Sequence, residues 1–195
     1  KCFASAFNID GLKILKEVKD TWVKIPSHEA YNIKLIEFAI KNFKKIIISA
    51  GCLNKNELNK LIKFVNSKKN YKKKTCLLHC VSSYPLKPEN CNFEKFYFLK
   101  KKFDNVGYSG HLQGIEDAMY ALFNNAEIIE KHFTINNKLP GRDNKFALNQ
   151  KQFSELNKLR LLYKDFNKSH GLGLQKCEVD IYKNYRARWL KNIKN

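Results

Sequence analysis

Lys45-Ile46-Ile47-Ile48-Ser49-Ala50 is a short, continuous apolar run closed by a hydroxyl. It is followed by Leu58, Leu61, Ile62 and Val65, spaced three and four residues apart, and then by a second apolar run, Thr75-Cys76-Leu77-Leu78-His79-Cys80-Val81. A β-branched run of this length reads as a fully buried strand, and the spacing after it reads as an amphipathic helix. A strand, a helix and another strand make one βα unit of a parallel sheet.

The unit recurs in both directions. Further runs are Cys2–Phe7, Trp22–Pro26, Val106–His111 and Glu127–Thr134. Between them, helical spacing appears at Ile9/Leu12/Leu15/Val18, Leu35/Phe38/Ala39/Asn42, Phe93/Phe96/Tyr97 and Ile115/Ala118/Met119/Leu122. A last helix is predicted on Phe153/Leu156/Leu159/Tyr163/Phe166.

Such a chain can build an open doubly wound sheet or a closed (β/α)8 barrel. The open form usually carries an early glycine-rich phosphate turn, and neither G-x-G-x-x-G nor a P-loop occurs here. A barrel gathers its catalytic groups at the carboxyl ends of many strands. The runs close in order near Ser5, Lys24, Ser49, His79, the Ser109/His111 pair and His132, at intervals of 19, 25, 30, 30 and 23 residues. The expectation is therefore an α/β chain, a (β/α)8 barrel of which about six units are present, with the missing strands before Lys1. Residues 1–170 are assigned to the barrel and 171–195 to a tail or linker, with Tyr182–Trp189 as the start of a connection to a further domain.

The net charge of +19 invites a nucleic-acid reading. Residues 1–100 hold 20 basic and 8 acidic side chains, and residues 101–195 hold 17 and 10, so the excess is spread along the chain. Lysine runs occur only at Lys72–Lys74 and Lys100–Lys102, without a zinc-finger, RRM or helix-turn-helix signature. Solvated helix faces, with some steering of an anionic substrate, account for the charge, and no nucleic-acid partner is expected. No membrane span is expected either. Cys2, Cys52, Cys76, Cys80, Cys91 and Cys177 form no Cys-x-x-Cys pair, and several lie in apolar runs. They are expected to be buried and reduced, as in a cytoplasmic protein.

Ser109 and His111 share a face of one strand, and Glu130 and His132 share a face of the next. Two imidazoles from adjacent strands can hold one divalent ion and leave positions open for substrate. Two unrelated histidines would show the same spacing. Lys24 closes an apolar strand, so it must find an anion or reach water; it suits a phosphate or carboxylate, with Ser5, Ser49 and Ser109 beside it. A lysine snorkelling at the rim is the plainer alternative. Glu29 is a candidate general acid/base, or a helix N-terminal carboxylate favoured by the dipole. His79, with Leu77 and Val81 on its face, reads as a satisfied core histidine. Asp143, in Pro140-Gly141-Arg142-Asp143, can hold sugar hydroxyls over the barrel mouth or serve as a turn residue.

The ordered motifs Leu78-His79-Cys80-Val81-Ser82-Ser83-Tyr84-Pro85, Gly107-Tyr108-Ser109-Gly110-His111, Ile129-Glu130-Lys131-His132-Phe133-Thr134 and Pro140-Gly141-x-Asp143 resemble those of the N-acetylneuraminate (sialic acid) synthase family, including legionaminic and pseudaminic acid synthases. Phe3–Phe7, Lys24–Glu29 and Ile46–Gly51 resemble its earlier strands, and the likeness runs over about residues 1–165. The resemblance implies an enzyme that condenses phosphoenolpyruvate with an N-acetylmannosamine-type sugar and releases phosphate. It implies His111 and His132 as ligands of Mn2+ or Mg2+, and Ser5, Lys24, Ser49, Ser82 and Ser109 around phosphoenolpyruvate. Tyr84 and Asp143 would meet the sugar, with Glu29 near the reacting carbonyl. It also implies a homodimer in which a C-terminal antifreeze-like domain supplies an Arg to its partner. His28, Ser82 and Arg142 depart from common family residues, which is compatible with a different sugar. Another phosphoenolpyruvate-dependent sugar-acid synthase and a non-enzymatic basic binding protein are the alternatives.

Overall fold

A computed structural model describes residues 2–188, and the chain divides into two units, Lys1–Arg160 and Leu161–Asn195. The first is built on six parallel strands: β1 (Ala4–Ser5), β2 (Trp22–Ile25), β3 (Lys45–Ser49), β4 (Thr75–Cys80), β5 (Val106–Gly110) and β6 (Ile129–Lys131). They hydrogen-bond in chain order, each with its sequence neighbour, as expected of consecutive βα units. The strands are shorter than their apolar runs at both edges. Only Ala4 and Ser5 of Cys2–Phe7 pair with β2, and only Ile129–Lys131 of Glu127–Thr134 pair with β5.

Helices connect the strands: α1 (Ile9–Glu17), α2 (Ile33–Asn42), α3 (Lys55–Asn66), α4 (Lys69–Lys74), α5 (Phe93–Lys100) and α6 (Glu116–Phe123), and α7 (Gln150–Phe166) follows β6. Their starts are set by local chemistry. Asn8, Asn32 and Asn54 each accept a backbone N–H of the first turn, and Glu57 reaches back to the Asn54 N–H to complete a capping box. The buried face of α2 is Leu35, Ile36, Ala39 and Ile40. Asn42, placed on that face by spacing alone, bonds the Phe38 carbonyl instead. Helix α4 turns the lysine run Lys72–Lys74 into a regular element, anchored by buried Tyr71.

The sheet has two distinct sides. Ile46, Ile48, Leu77 and Val106 pack outward among Leu35, Ile36, Leu61 and Phe96 of the helices. Ile47, Cys76 and Leu78 point the other way, with Trp22 and Ile128 packed against them. Both faces are apolar and buried, which is why the central strands read as continuous apolar runs. Burial of the cysteines follows the strands: Cys76 and Cys80 are buried, whereas Cys2, Cys52 and Cys177 are exposed. The expectation of a buried set is corrected for those three, which lie outside the paired strands.

In the second unit, a 3-10 turn at Lys176–Glu178 leads into α8 (Val179–Asn184). Trp189, the end of the expected linker segment, lies outside the described residues. Among the described residues, no helix is long and apolar enough to cross a membrane.

Candidate active site

Alternation along parallel strands decides which side chains reach the inner side of the sheet. Register pairs Ser5 with Lys24, Ser49 with Leu78, Cys80 with Ser109 and Ser109 with Glu130. Since Leu78 and Ile128 are inward, Lys24, Ser49, Ser109 and Glu130 are inward as well. All lie toward the carboxyl ends of their strands.

Two groups form there. In the first, Lys24 Nζ donates to Glu130 Oε1 at 2.5 Å, and Ser109 Oγ donates to the same oxygen at 2.8 Å. In the second, His111 and His132 have ring centroids 5.3 Å apart, and the Tyr84 ring lies 4.2 Å from His111 and 6.0 Å from His132. Phe146, at 5.2 Å from His132, closes the apolar side. Asp143 Oδ2 approaches His132 Nδ1 at 3.5 Å, so the loop after β6 does return over the histidines.

His111 Nδ1 donates to the Val81 carbonyl at 2.9 Å, which fixes the tautomer and leaves Nε2 as the free lone pair. Burial lowers the pKa of His111, against the opposing pull of that carbonyl. Burial first, and then the neighbouring His111, lowers that of His132. Two neutral imidazoles, each with its Nδ1 facing an oxygen, are the protonation state a divalent ion requires of its ligands. Among the described residues, no third His, Cys, Asp or Glu joins them in a ligand set. Two imidazoles could supply two positions of an ion, with the others left to water or substrate.

The other expected residues distribute as follows. Ser49 is buried, and its Oγ has no hydrogen-bond partner among the described residues. Ser82 lies beside Cys80 Sγ at 3.9 Å, and Tyr84, pushed up in pKa chiefly by burial, also bonds to it. Ser5 is exposed at the end of β1, in register with Lys24. Glu29 ends a half-buried 3-10 turn after β2, and its side chain has no bonding partner among the described residues. His79 faces outward, fully buried against Phe93, Phe96 and Tyr108, with Nε2 donating to the Cys91 carbonyl at 2.8 Å. Burial pushes its pKa down to about 4; it is a core histidine as expected, but only half satisfied, since its buried Nδ1 has no hydrogen-bond partner among the described residues.

Sequence reading missed Ser27, whose buried Oγ accepts the Gly51 N–H at 3.2 Å. Gly51 is itself wedged between Ser27 and Ser82, with no room for a Cβ. It also assigned no partner to Lys24. The available signal was Glu130, two residues before His132 on the same inward face.

A parallel βα sheet with its polar side chains gathered at the carboxyl ends of the strands is the arrangement of β/α-barrel active sites. The chain belongs to the NeuB family, whose model matches residues 1–168. It is 31% identical to the N,N'-diacetyllegionaminic acid synthase of Campylobacter jejuni over 93% of this chain and 54% of that protein. It is 30% identical to the N-acetylneuraminate-9-phosphate synthase of Drosophila melanogaster over 78% of this chain and 41% of that protein. The chain thus spans about half the length of the curated relatives it matches. Among solved structures, the N-acetylneuraminic acid synthetase of Leptospira borgpetersenii, in complex with citrate, superposes with a TM-score of 0.81 at 32% identity, covering 95% of this chain and 65% of that one.

Proposed function

We propose that this chain forms the greater part of the catalytic face of a nonulosonic acid synthase, which condenses phosphoenolpyruvate with an N-acetylmannosamine-type sugar and releases phosphate. The observation that carries the reading is the placement of a Lys–carboxylate–hydroxyl group, Lys24, Glu130 and Ser109, directly beneath two neutral imidazoles. Family membership and relatives named as synthases of sialic, legionaminic and pseudaminic acids support it.

His111 and His132 would hold the divalent ion, Mn2+ or Mg2+, through nitrogens that their Nδ1 partners leave free. Such an ion supplies Lewis-acid polarisation of a sugar carbonyl. Lys24 receives the anion of phosphoenolpyruvate. In the substrate-free arrangement its charge is already matched by Glu130, so an incoming anion must share the ammonium or displace the carboxylate. Ser109 holds its hydroxyl proton on Glu130 Oε1 until then. Ser49, an unpaired buried hydroxyl on the same inner face, supplies a donor at no cost in broken bonds. Ser5 and Ser82 complete the hydroxyl set. Tyr84 and Asp143 flank the histidines, where a sugar would approach, and Glu29 is a half-buried carboxylate just past the end of β2. Apolar Phe146 and the Tyr84 ring limit water at the histidines. Holding the two reactants in one geometry is the main contribution asked of these groups.

A closed eight-strand barrel needs two further strands between β6 and β1. On this reading they are supplied from outside the present sequence, and the working protein is a cytoplasmic homodimer. The decisive experiment supplies phosphoenolpyruvate, Mn2+ and a panel of N-acetylated hexoses to this chain joined to the missing strands and the C-terminal domain. Phosphate release dependent on one sugar is expected. No release with any sugar overturns the reading.

A further inference from the structure

On the outer side of the sheet, away from the candidate site, lies a buried charge pair that the reaction does not use. Lys131 Nζ donates to Asp117 Oδ1 at 2.9 Å and Oδ2 at 3.1 Å, with side-chain exposures of 2% and 0%. Its third bond goes to the Leu112 carbonyl at 2.7 Å. Asp117 in turn accepts the Tyr108 hydroxyl at 3.1 Å, the Ala118 N–H at 2.8 Å and the Leu112 N–H at 3.4 Å.

The positions of these groups are informative. Lys131 immediately precedes His132, and Leu112 immediately follows His111. The β5–β6 ladder ends at the pair Gly110 and Lys131. His111 and His132 stand one step beyond that last pair. There the Lys131 ammonium bonds the Leu112 carbonyl, tying the backbone beside one histidine to the backbone beside the other. A buried ion pair is a poor way to gain stability, because desolvation offsets the attraction. Apolar residues of similar volume would serve packing as well. What they would not do is fix the distance between two strand ends.

We propose that Lys131 and Asp117 are positioning residues for the histidine pair. They act through the backbone at Leu112 and His132, and they set the spacing of the two imidazoles toward a divalent cation. The proposal rests on the metal reading of His111 and His132, and its test keeps the two apart.

The test uses the full chain in three forms: unchanged, Lys131→Met, and Lys131→Met with Asp117→Leu, which removes both charges and leaves neither buried alone. Mn2+ affinity is measured by titration, and the imidazole 15N signals of His79, His111 and His132 are recorded without metal at one pH. Positioning predicts Mn2+ binding weaker by about tenfold or more in both variants, the usual scale for groups supporting a ligand. It also predicts shifted His111 and His132 signals beside an unmoved His79 signal, even where the double variant melts like the unchanged chain. If the unchanged chain takes no Mn2+ while the variants still shift those two signals, the metal reading falls and the positioning role stands. A folded double variant with native Mn2+ affinity and native imidazole signals overturns the proposal. So does failure of both variants to fold, since the pair would then hold the sheet itself.

Discussion

Lys24 Nζ lies 2.5 Å from Glu130 Oε1, although β2 and β6 are separated in the sheet by β3, β4 and β5. A flat sheet with strands about 4.8 Å apart would hold those side chains near 19 Å from each other. The pair can meet only because the sheet curls toward its inner face, so this one bond reports both the curvature and the site that curvature creates.

Substituting Lys24 by Met and Glu130 by Gln, singly and together, gives a double-mutant cycle for this pair. With side-chain exposures of 15% and 34%, the coupling measured by urea denaturation is expected to be about 1 kcal/mol. Phosphoenolpyruvate binding is expected to be lost in Lys24→Met and weakened much less in Glu130→Gln. Equal losses in the two would show that the lysine only holds the carboxylate.

Ser49 offers a separation of stability from binding. Its buried hydroxyl has no partner among the described residues, so Ser49→Ala removes a polar group that folding has left unsatisfied. Stability is expected to be unchanged or raised by up to about 1 kcal/mol. Phosphoenolpyruvate affinity is expected to fall in the same variant. Thermal melts and a ligand titration read the two effects, and a destabilised Ser49→Ala would show that the hydroxyl is satisfied.

His79 sets a pH dependence. Its ordinary pKa of 6.5 is pushed down to about 4 by burial among Phe93, Phe96 and Tyr108. The folded state therefore binds fewer protons than the unfolded state between those values. The stabilisation is complete above pH 6.5 and is lost as the pH falls toward 4, about 3 kcal/mol in all. Burial lowers His111 and His132 as well, and they add in the same direction. Urea midpoints at pH 7, 5.5 and 4.5 should fall steeply in the native chain and less steeply in His79→Leu. Parallel slopes would remove His79 from the account.

Much of this was legible in the sequence, and the reasons differ by element. Ile46–Ile48 are buried on both faces of a central strand, so their run needed no partner to be read. His111 and His132 sit at matching strand ends, and two-residue alternation alone placed each with Ser109 or Glu130. The Lys24–Glu130 pair was not legible, because pairing across three intervening strands depends on curvature that no local pattern encodes. Lys131 and Asp117 were hidden for another reason. A lone lysine and an acid in a helix's first turn look like solvated surface, and only the close packing of α6 on β5 and β6 buries them. The expected face of α2 missed Ile36 and Ile40, since Asn42 satisfied the same spacing as a helix-end residue bonded to its own backbone.

Gly110, between Ser109 and His111, carries the last prediction. It has no left-handed backbone angle to justify a glycine. Its reason is close approach, because a Cβ there would run into the Asp117 carboxylate and the Tyr108 ring. Neither neighbour can yield cheaply. Asp117 is held by Lys131 and backbone N–H groups, and Tyr108 is buried against Phe93 at a ring separation of 5.1 Å. Gly110→Ala should therefore cost about 1–3 kcal/mol, the range for forcing a methyl group into a packed site. Gly173→Ala, where a Cβ meets nothing within 4 Å, is the control and should be near neutral. Because the displaced carboxylate is the partner of Lys131, Gly110→Ala should also disturb the imidazole signals of His111 and His132, which Gly173→Ala should leave in place. A Gly110→Ala chain as stable as the control would mean that the carboxylate is free to move, and that the strand end is held by something other than its contact with α6.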